Sequence, residues 1–173
     1  RDGFHWHRPD RRALVPVSEH YGDWNWGNVQ SAGGCCVTVG DQLYFYVSGR
    51  AGVPGTKDSG VCTTGLATLR RDGFASMRAG DRSGTLTTRV LRFKGTRLFV
   101  NAAVRKGELR VEALDRDGRV IEPFTRAGCV PIREDATSIE VRWKRVANIA
   151  ALSNREVRFR FHLRAGGLYS FWT

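Results

Sequence analysis

Glu156-Val157-Arg158-Phe159-Arg160-Phe161-His162-Leu163 alternates strictly between apolar and polar residues. A period of two is the signature of a strand with one face in a core and one face in water. Val157, Phe159, Phe161 and Leu163 therefore point inward, and Arg158, Arg160 and His162 point outward. The same pattern places Ile139, Val141 and Trp143 inward along Ser138 to Lys144. It buries Leu109 and Val111 on either side of Arg110, and it aligns Leu98, Val100, Ala102 and Val104 on one face. Such half-buried strands belong to antiparallel sheets.

Turn signals separate these strands at short spacing. Arg116-Asp117-Gly118-Arg119 reads as a type I′ hairpin turn, since Asp-Gly tolerates positive φ. Lys106-Gly107 and Gly166-Gly167 read likewise, the latter closing a final hairpin from Leu163 back along Leu168 to Trp172. From about Thr85 to Thr173 roughly seven strands are expected, which is the pattern of a β-sandwich. One helical turn is expected between Ala147 and Leu152.

The first 75 or so residues differ, being rich in glycine and aromatics. Strands are expected over Cys35 to Val39, Gln42 to Ser48 and Gly65 to Arg70, with a long loop from Gly49 to Thr64. Trp6, Leu43, Phe45 and Leu66 need covering. Arg1-Asp2-Gly3-Phe4-His5-Trp6 echoes Arg71-Asp72-Gly73-Phe74, both turns that lead an aromatic into a strand.

The net charge of +11 invites an anionic partner, but 24 of the 28 basic residues are arginines scattered along the chain. A nucleic-acid site needs them clustered on one face, so a solvated basic surface and no nucleic-acid partner is the expectation. No stretch is apolar enough to span a bilayer as a helix. The chain begins at Arg1, as a processed or excised piece does, and a secreted or periplasmic location is plausible. Cys35, Cys36, Cys62 and Cys129 contain no Cys-x-x-Cys pair. A Cys36–Cys62 or Cys35–Cys62 bridge and free thiols are both open. His5 and His7 share a side of an extended segment, but the sequence places no third ligand beside them, and no metal or other cofactor is expected.

The stretch Tyr21-Gly22-Asp23-Trp24-Asn25-Trp26-Gly27-Asn28-Val29-Gln30 is the foremost candidate site. Sugars are held by flat apolar faces against their C–H groups, and by carboxylates and amides that bond neighbouring hydroxyls. Trp24, Trp26, Asn25, Asn28 and Gln30 supply these groups, and Asp23 supplies the one carboxylate of the cluster. An extended backbone would put Trp24, Trp26, Asn28 and Gln30 on one side. The competing reading has the tryptophans plugging the core and the asparagines bracing the loop. A glycosidase needs two carboxylates at a fixed separation, and Asp10, Glu19 and Asp41 are the other acids nearby. In the C-terminal half, Tyr169 and Trp172 are further platform candidates, with Trp143 on the apolar side of its strand.

Gly22 to Gly34, followed by Leu43-Tyr44-Phe45-Tyr46-Val47-Ser48-Gly49-Arg50, resembles bacterial proteins classed as similar to glycoside hydrolase family 32. Arg1 to Pro9 resembles a propeller turn, and Val157 to Leu163 with Leu168 to Trp172 resembles the last sandwich strands of those proteins. The resemblance spans essentially the whole chain, but only the last part of the family's length. It implies a propeller-blade-like segment over 1–78 and an antiparallel β-sandwich, jelly-roll or concanavalin-like, over 79–173. It also implies that the family's catalytic acids fall outside this segment, and that Arg50 faces a central pocket. The function expected is a carbohydrate-binding or accessory module that uses Trp24, Asn25, Trp26, Asn28, Gln30 and Arg50. The alternatives are a fructan- or plant-glycan-active hydrolase using Asp23, and a purely structural sandwich. Carbohydrate is the expected partner, with an upstream propeller domain or a second copy of the chain.

Overall fold

Arg158–Arg164, the strand with the clearest alternation, lies at the centre of a three-stranded antiparallel sheet. A computed structural model of the chain describes residues 4, 11–31, 33–53, 55–56 and 60–173. The strands, in chain order, are β1 (Val29–Ser31), β2 (Val37–Val39), β3 (Gln42–Ala51), β4 (Val61–Arg70), β5 (Met77–Ala79), β6 (Gly84–Thr87), β7 (Leu98–Ala103), β8 (Glu108–Leu114), β9 (Asp135–Val141), β10 (Arg158–Arg164) and β11 (Gly166–Trp172). A 3-10 turn covers Ala150–Leu152, inside the span expected for helix. The protein is thus all-β, with several antiparallel sheets. Among the described residues no helix is long and apolar enough to cross a membrane.

The chain divides into two compact units, Arg1–Leu69 and Arg70–Thr173. In the second unit one sheet has the order β5-β11-β7-β9 and the other β6-β10-β8. Every connection from β5 to β11 passes from one sheet to the other. The two sheets share one apolar core. Leu98, Val100 and Ala102 of β7, Leu109 and Val111 of β8, Ile139 and Val141 of β9, and Phe159, Phe161 and Leu163 of β10 are all buried there. Their polar neighbours along each strand face away, as the alternation requires. Trp143 also lies in the core, edge-on to Phe124 at 5.4 Å between ring centres.

Three turn expectations change. β10 and β11 do not form a hairpin: the chain crosses between sheets at Ala165, which takes φ +45°. The Lys106-Gly107 corner crosses in the same way, and a Cβ on Gly107 would lie 1.7 Å from the Arg164 carbonyl oxygen. Glycine is needed here for close approach of two backbones rather than for a hairpin. At Arg116–Arg119 only Gly118 has positive φ, whereas a type I′ turn needs two such residues. The Asp115 carboxylate closes this turn, accepting from the amides of Asp117 at 2.9 Å and Arg119 at 2.8 Å.

In the first unit β3 pairs with β4 on one side. On the other side it pairs with β2 through Tyr44–Gln42 and with β1 through Gly49–Val47. β1 and β2 are therefore two parts of one antiparallel run, interrupted between Ser31 and Val37. The strands reach further than expected: Gly49–Ala51 belongs to β3 and Val61–Thr64 to β4, so the connecting loop is 52–60. Gly49 is buried and paired with Val29, so here glycine marks a close contact rather than a loop. Leu43 and Val47 are buried, Phe45 is half-buried and Leu66 is 49% exposed. Trp6 lies outside the described residues.

Candidate functional site

The Tyr21–Gln30 stretch coils before it extends. The Asp23 amide donates to the His20 carbonyl at 3.2 Å, and the Trp26 amide donates to the Asp23 carbonyl at 3.1 Å. The Ser18 hydroxyl donates to the Asp23 carboxylate, and the Asn25 side-chain amide donates to the Pro16 carbonyl at 2.7 Å. Asn25 thus braces the loop. Two successive turns break the alternation on which the expected common side of Trp24, Trp26, Asn28 and Gln30 depended.

Trp24 is seated on glycine. A Cβ at Gly49 would stand 2.7 Å from its Cε3, and one at Gly65 would stand 2.6 Å from its Cη2. The indole therefore lies across β3 and β4 where both strands lack side chains. The Thr63 hydroxyl ties the seat down by donating to the Trp24 carbonyl at 2.7 Å. The residue is still 39% exposed, so the sheet supports the ring without enclosing it.

Asn28, Gln30 and Arg50 lie on the other face. Gln30 pairs with Ser48. The Gly27 amide donates to the Arg50 carbonyl at 2.8 Å, and the Arg50 amide donates to the Asn28 carbonyl at 3.1 Å. Two residues oppose one, as in a β-bulge. Ser48 and Arg50 flank Gly49, whose Cβ direction points at Trp24, so their side chains point away from the indole. The Arg50 guanidinium donates to the Cys62 thiol. Trp26 is half-buried, packed edge-on to Tyr21 with ring centres 4.8 Å apart, and the Tyr21 hydroxyl donates to the Val53 carbonyl. The structure thus brings together Asp23 and Trp24, pairs Trp26 with Tyr21, and groups Asn28, Gln30 and Arg50 on the opposite face.

Among the described residues no three His, Cys, Asp or Glu side chains cluster as metal ligands; His5, His7 and Asp10 lie outside those residues. All four cysteines are free, Cys35 and Cys62 exposed and Cys129 buried.

Two polar clusters of the second unit escaped sequence reasoning. Arg70 donates through Nε to Asn101 at 2.6 Å, through Nη1 to Asp135 at 2.5 Å and through Nη2 to the Ala102 carbonyl at 3.2 Å, with its guanidinium 4.9 Å above the Tyr169 ring. Asn101 is fully buried and donates to the Arg71 carbonyl, which fixes the Arg71-Asp72-Gly73 turn to the sheet. Register shifts in β7 and β11 fall at these same residues. On the other sheet, Glu112 Oε1 stands 3.0 Å from both Arg160 Nη1 and His162 Nε2. Burial by itself raises the Glu112 pKa, but the hydrogen bonds and charges of His162 and Arg160 outweigh it and hold the carboxyl below its usual value. The only advance signal was outward placement of Arg160 and His162.

An apolar cleft lined by Met77, Leu86, Phe161 and Leu168 holds about 60 Å³, far below the ~300 Å³ at which ligand pockets begin, whereas an open cleft lined by Pro131, Ser138, Glu140 and Arg142 holds about 340 Å³. Compared with known proteins, the chain matches no family model, no curated protein and no solved structure.

Proposed function

We propose that this chain is a carbohydrate-binding module of the kind attached to glycoside-hydrolase-like proteins, with Trp24 as its stacking platform. The carrying observation is the two-glycine seat, which holds the benzo ring of the indole against the sheet and leaves 39% of the residue open. A pyranose or furanose ring laid on such a face removes C–H groups and aromatic carbon from water together. Asp23, next in sequence, accepts a hydrogen bond from a ring hydroxyl while Ser18 fixes its other contact. Asn28, Gln30 and Arg50 face away from the indole and take no part in this subsite. Hydrolysis needs a second carboxylate at fixed separation, whereas stacking on Trp24 needs only its exposed ring. Binding is the reading we adopt over cleavage.

The fold expectations enter the same reading. The alternation of β5 to β11 between sheets, in the orders β5-β11-β7-β9 and β6-β10-β8, supports a jelly-roll β-sandwich. Ile121, Phe124 and Ile132 bond to β8 along its outer edge, where a further strand of that fold would lie. The four-stranded sheet of the first unit has the size of one propeller blade.

Affinity electrophoresis through gels carrying soluble neutral polysaccharides tests the site. Retention by at least one glycan is expected, abolished by Trp24→Ala and weakened by Asp23→Asn. Unchanged retention of Trp24→Ala on every glycan that retains the parent, or no retention of the parent at all, refutes it.

A further inference from the structure

We infer that the second unit carries a separate platform for an acidic, uronate-bearing glycan on the outer face of its four-stranded sheet. This rests on the carbohydrate-binding reading above and extends it from one platform to two.

A row of three side chains crosses β11, β7 and β9. Trp172 lies directly opposite Phe99, and Phe99 directly opposite Glu140. All three face away from the core, because their strand neighbours Phe171, Leu98, Val100, Ile139 and Val141 pack into it. The Trp172 and Phe99 rings stack at 5.8 Å with planes 14° apart. Phe99 thus holds one indole face and fixes its orientation. β5 pairs with Gly166–Leu168, and among the described residues no strand of this sheet lies beside β11 at Trp172 on the side away from Phe99. Trp172 is accordingly 38% exposed. An oriented indole with one face open is what ring stacking requires.

The polar end of the row specifies the sign of the ligand. Glu140 Oε2 accepts from Arg142 Nε at 2.9 Å and Nη2 at 2.7 Å, while Arg97 Nε stands 3.7 Å from Oε1. Two guanidiniums share one carboxylate, which leaves one positive charge over. Both arginines are well exposed, at 64% for Arg97 and 70% for Arg142, so part of each fork remains available. Gly95 packs against Thr173, which brings the turn bearing Lys94 beside the same end of β11. A sugar carboxylate matches a guanidinium fork geometrically as well as in charge. A glycan that crosses the row, with one ring against the exposed indole of Trp172 and the carboxylate of a later residue toward Arg97 and Arg142, uses both halves of the row.

The test is affinity electrophoresis and calorimetry with polygalacturonate, using polyaspartate as a competitor that supplies carboxylates without rings. Retention of the parent by polygalacturonate is expected, with affinity falling about ten-fold or more in Trp172→Ala and in the Arg97→Ala/Arg142→Ala pair. Trp172→Phe keeps a ring and a folded sheet, and retains part of the binding, which covers the case where Trp172→Ala unfolds. Trp24→Ala leaves polygalacturonate retention in place. Three outcomes overturn the inference: no retention of the parent, equal retention of the parent and the arginine pair variant, or displacement by polyaspartate at equal carboxylate concentration. A parent retained by neutral glycans through Trp24 but not by polygalacturonate fails this inference and leaves the first platform standing.

Discussion

Replacing Gly65 by alanine tests whether Trp24 rests on the sheet as described. The added Cβ would meet Trp24 Cη2 at 2.6 Å and Cζ3 at 2.7 Å. Carbon atoms prefer about 3.5–4 Å, so the indole must lift by roughly 1 Å. It cannot slide freely, because Gly49 meets the adjoining Cε3 of the same benzo ring and Thr63 holds the Trp24 carbonyl. Overpacking of this kind costs ~1–3 kcal/mol. Gly65 has no positive φ, so alanine fits the backbone and regains ~0.4–1 kcal/mol by restricting the unfolded chain. The net expectation is a loss of about 1–2 kcal/mol in urea unfolding, together with weaker polysaccharide retention. In a Trp24→Ala background nothing stands over Gly65. The same substitution should then be neutral or slightly stabilising, which makes the coupling between the two positions ~1–3 kcal/mol. An equal cost in both backgrounds would refute the seat, and with it the orientation of the platform.

Other expectations follow from the second unit and the thiols. Phe161 is fully buried against Phe159 and Phe171, so Phe161→Ala should cost ~3–5 kcal/mol by chemical denaturation; a loss below ~1 kcal/mol would argue against the shared core. The Glu112 carboxyl is held below its usual pKa in the folded state despite burial. Its stabilisation is therefore present above the unfolded value of about 4.3 and fades as pH falls through the lower folded value. Glu112→Gln should lose about 1.5–3 kcal/mol at pH 7 and flatten the acid limb of the stability curve, and a variant that follows the parent from pH 7 to pH 3 counts against the cluster. Burial raises the pKa of the Cys129 thiol, whereas Cys35 and Cys62 are exposed. A thiol reagent at pH 8 should label those two rapidly and Cys129 only on unfolding, and fast labelling of Cys129 in native protein is the contrary result.

Strand identity was legible where the alternation runs over many residues, and not in the three-residue strands β1 and β5. Val157, Phe159, Phe161 and Leu163 are all buried as the alternation required, because a period of two is dictated by backbone geometry alone. Where the strands go next was not legible. Lys106-Gly107 and Gly166-Gly167 carry the same local signal as hairpin turns, yet each marks a crossing between sheets. A turn signal reports that the chain changes direction, whereas the choice between hairpin and crossing depends on which distant strand takes the free edge. β11 finds β7, some 70 residues earlier in the chain, rather than its neighbour β10.

The candidate site divides along the same line. Trp24 and Asp23 drew attention through side-chain chemistry, which a sequence displays directly. The seat did not, because Gly49 and Gly65 act through the absence of a side chain, and an absence becomes a surface only when two strands pair beneath a ring. Asn28 and Gln30 failed to join Trp24 for a local reason: the turns closed by His20, Asp23 and Trp26 shift the parity before β1 begins. Arg50 was singled out as one arginine among many, and Arg70 was not, although Arg70 makes the larger set of contacts. The difference lies in Asn101 and Asp135, which sit 31 and 65 residues beyond Arg70. In a chain with 24 arginines, residue type carries little information. An arginine becomes distinctive only through the carboxylates, amides and aromatic faces that folding places around its guanidinium. The same reasoning separates Arg97 and Arg142 from the rest of the basic surface: one carboxylate is set between them, and an oriented indole stands at the other end of the row.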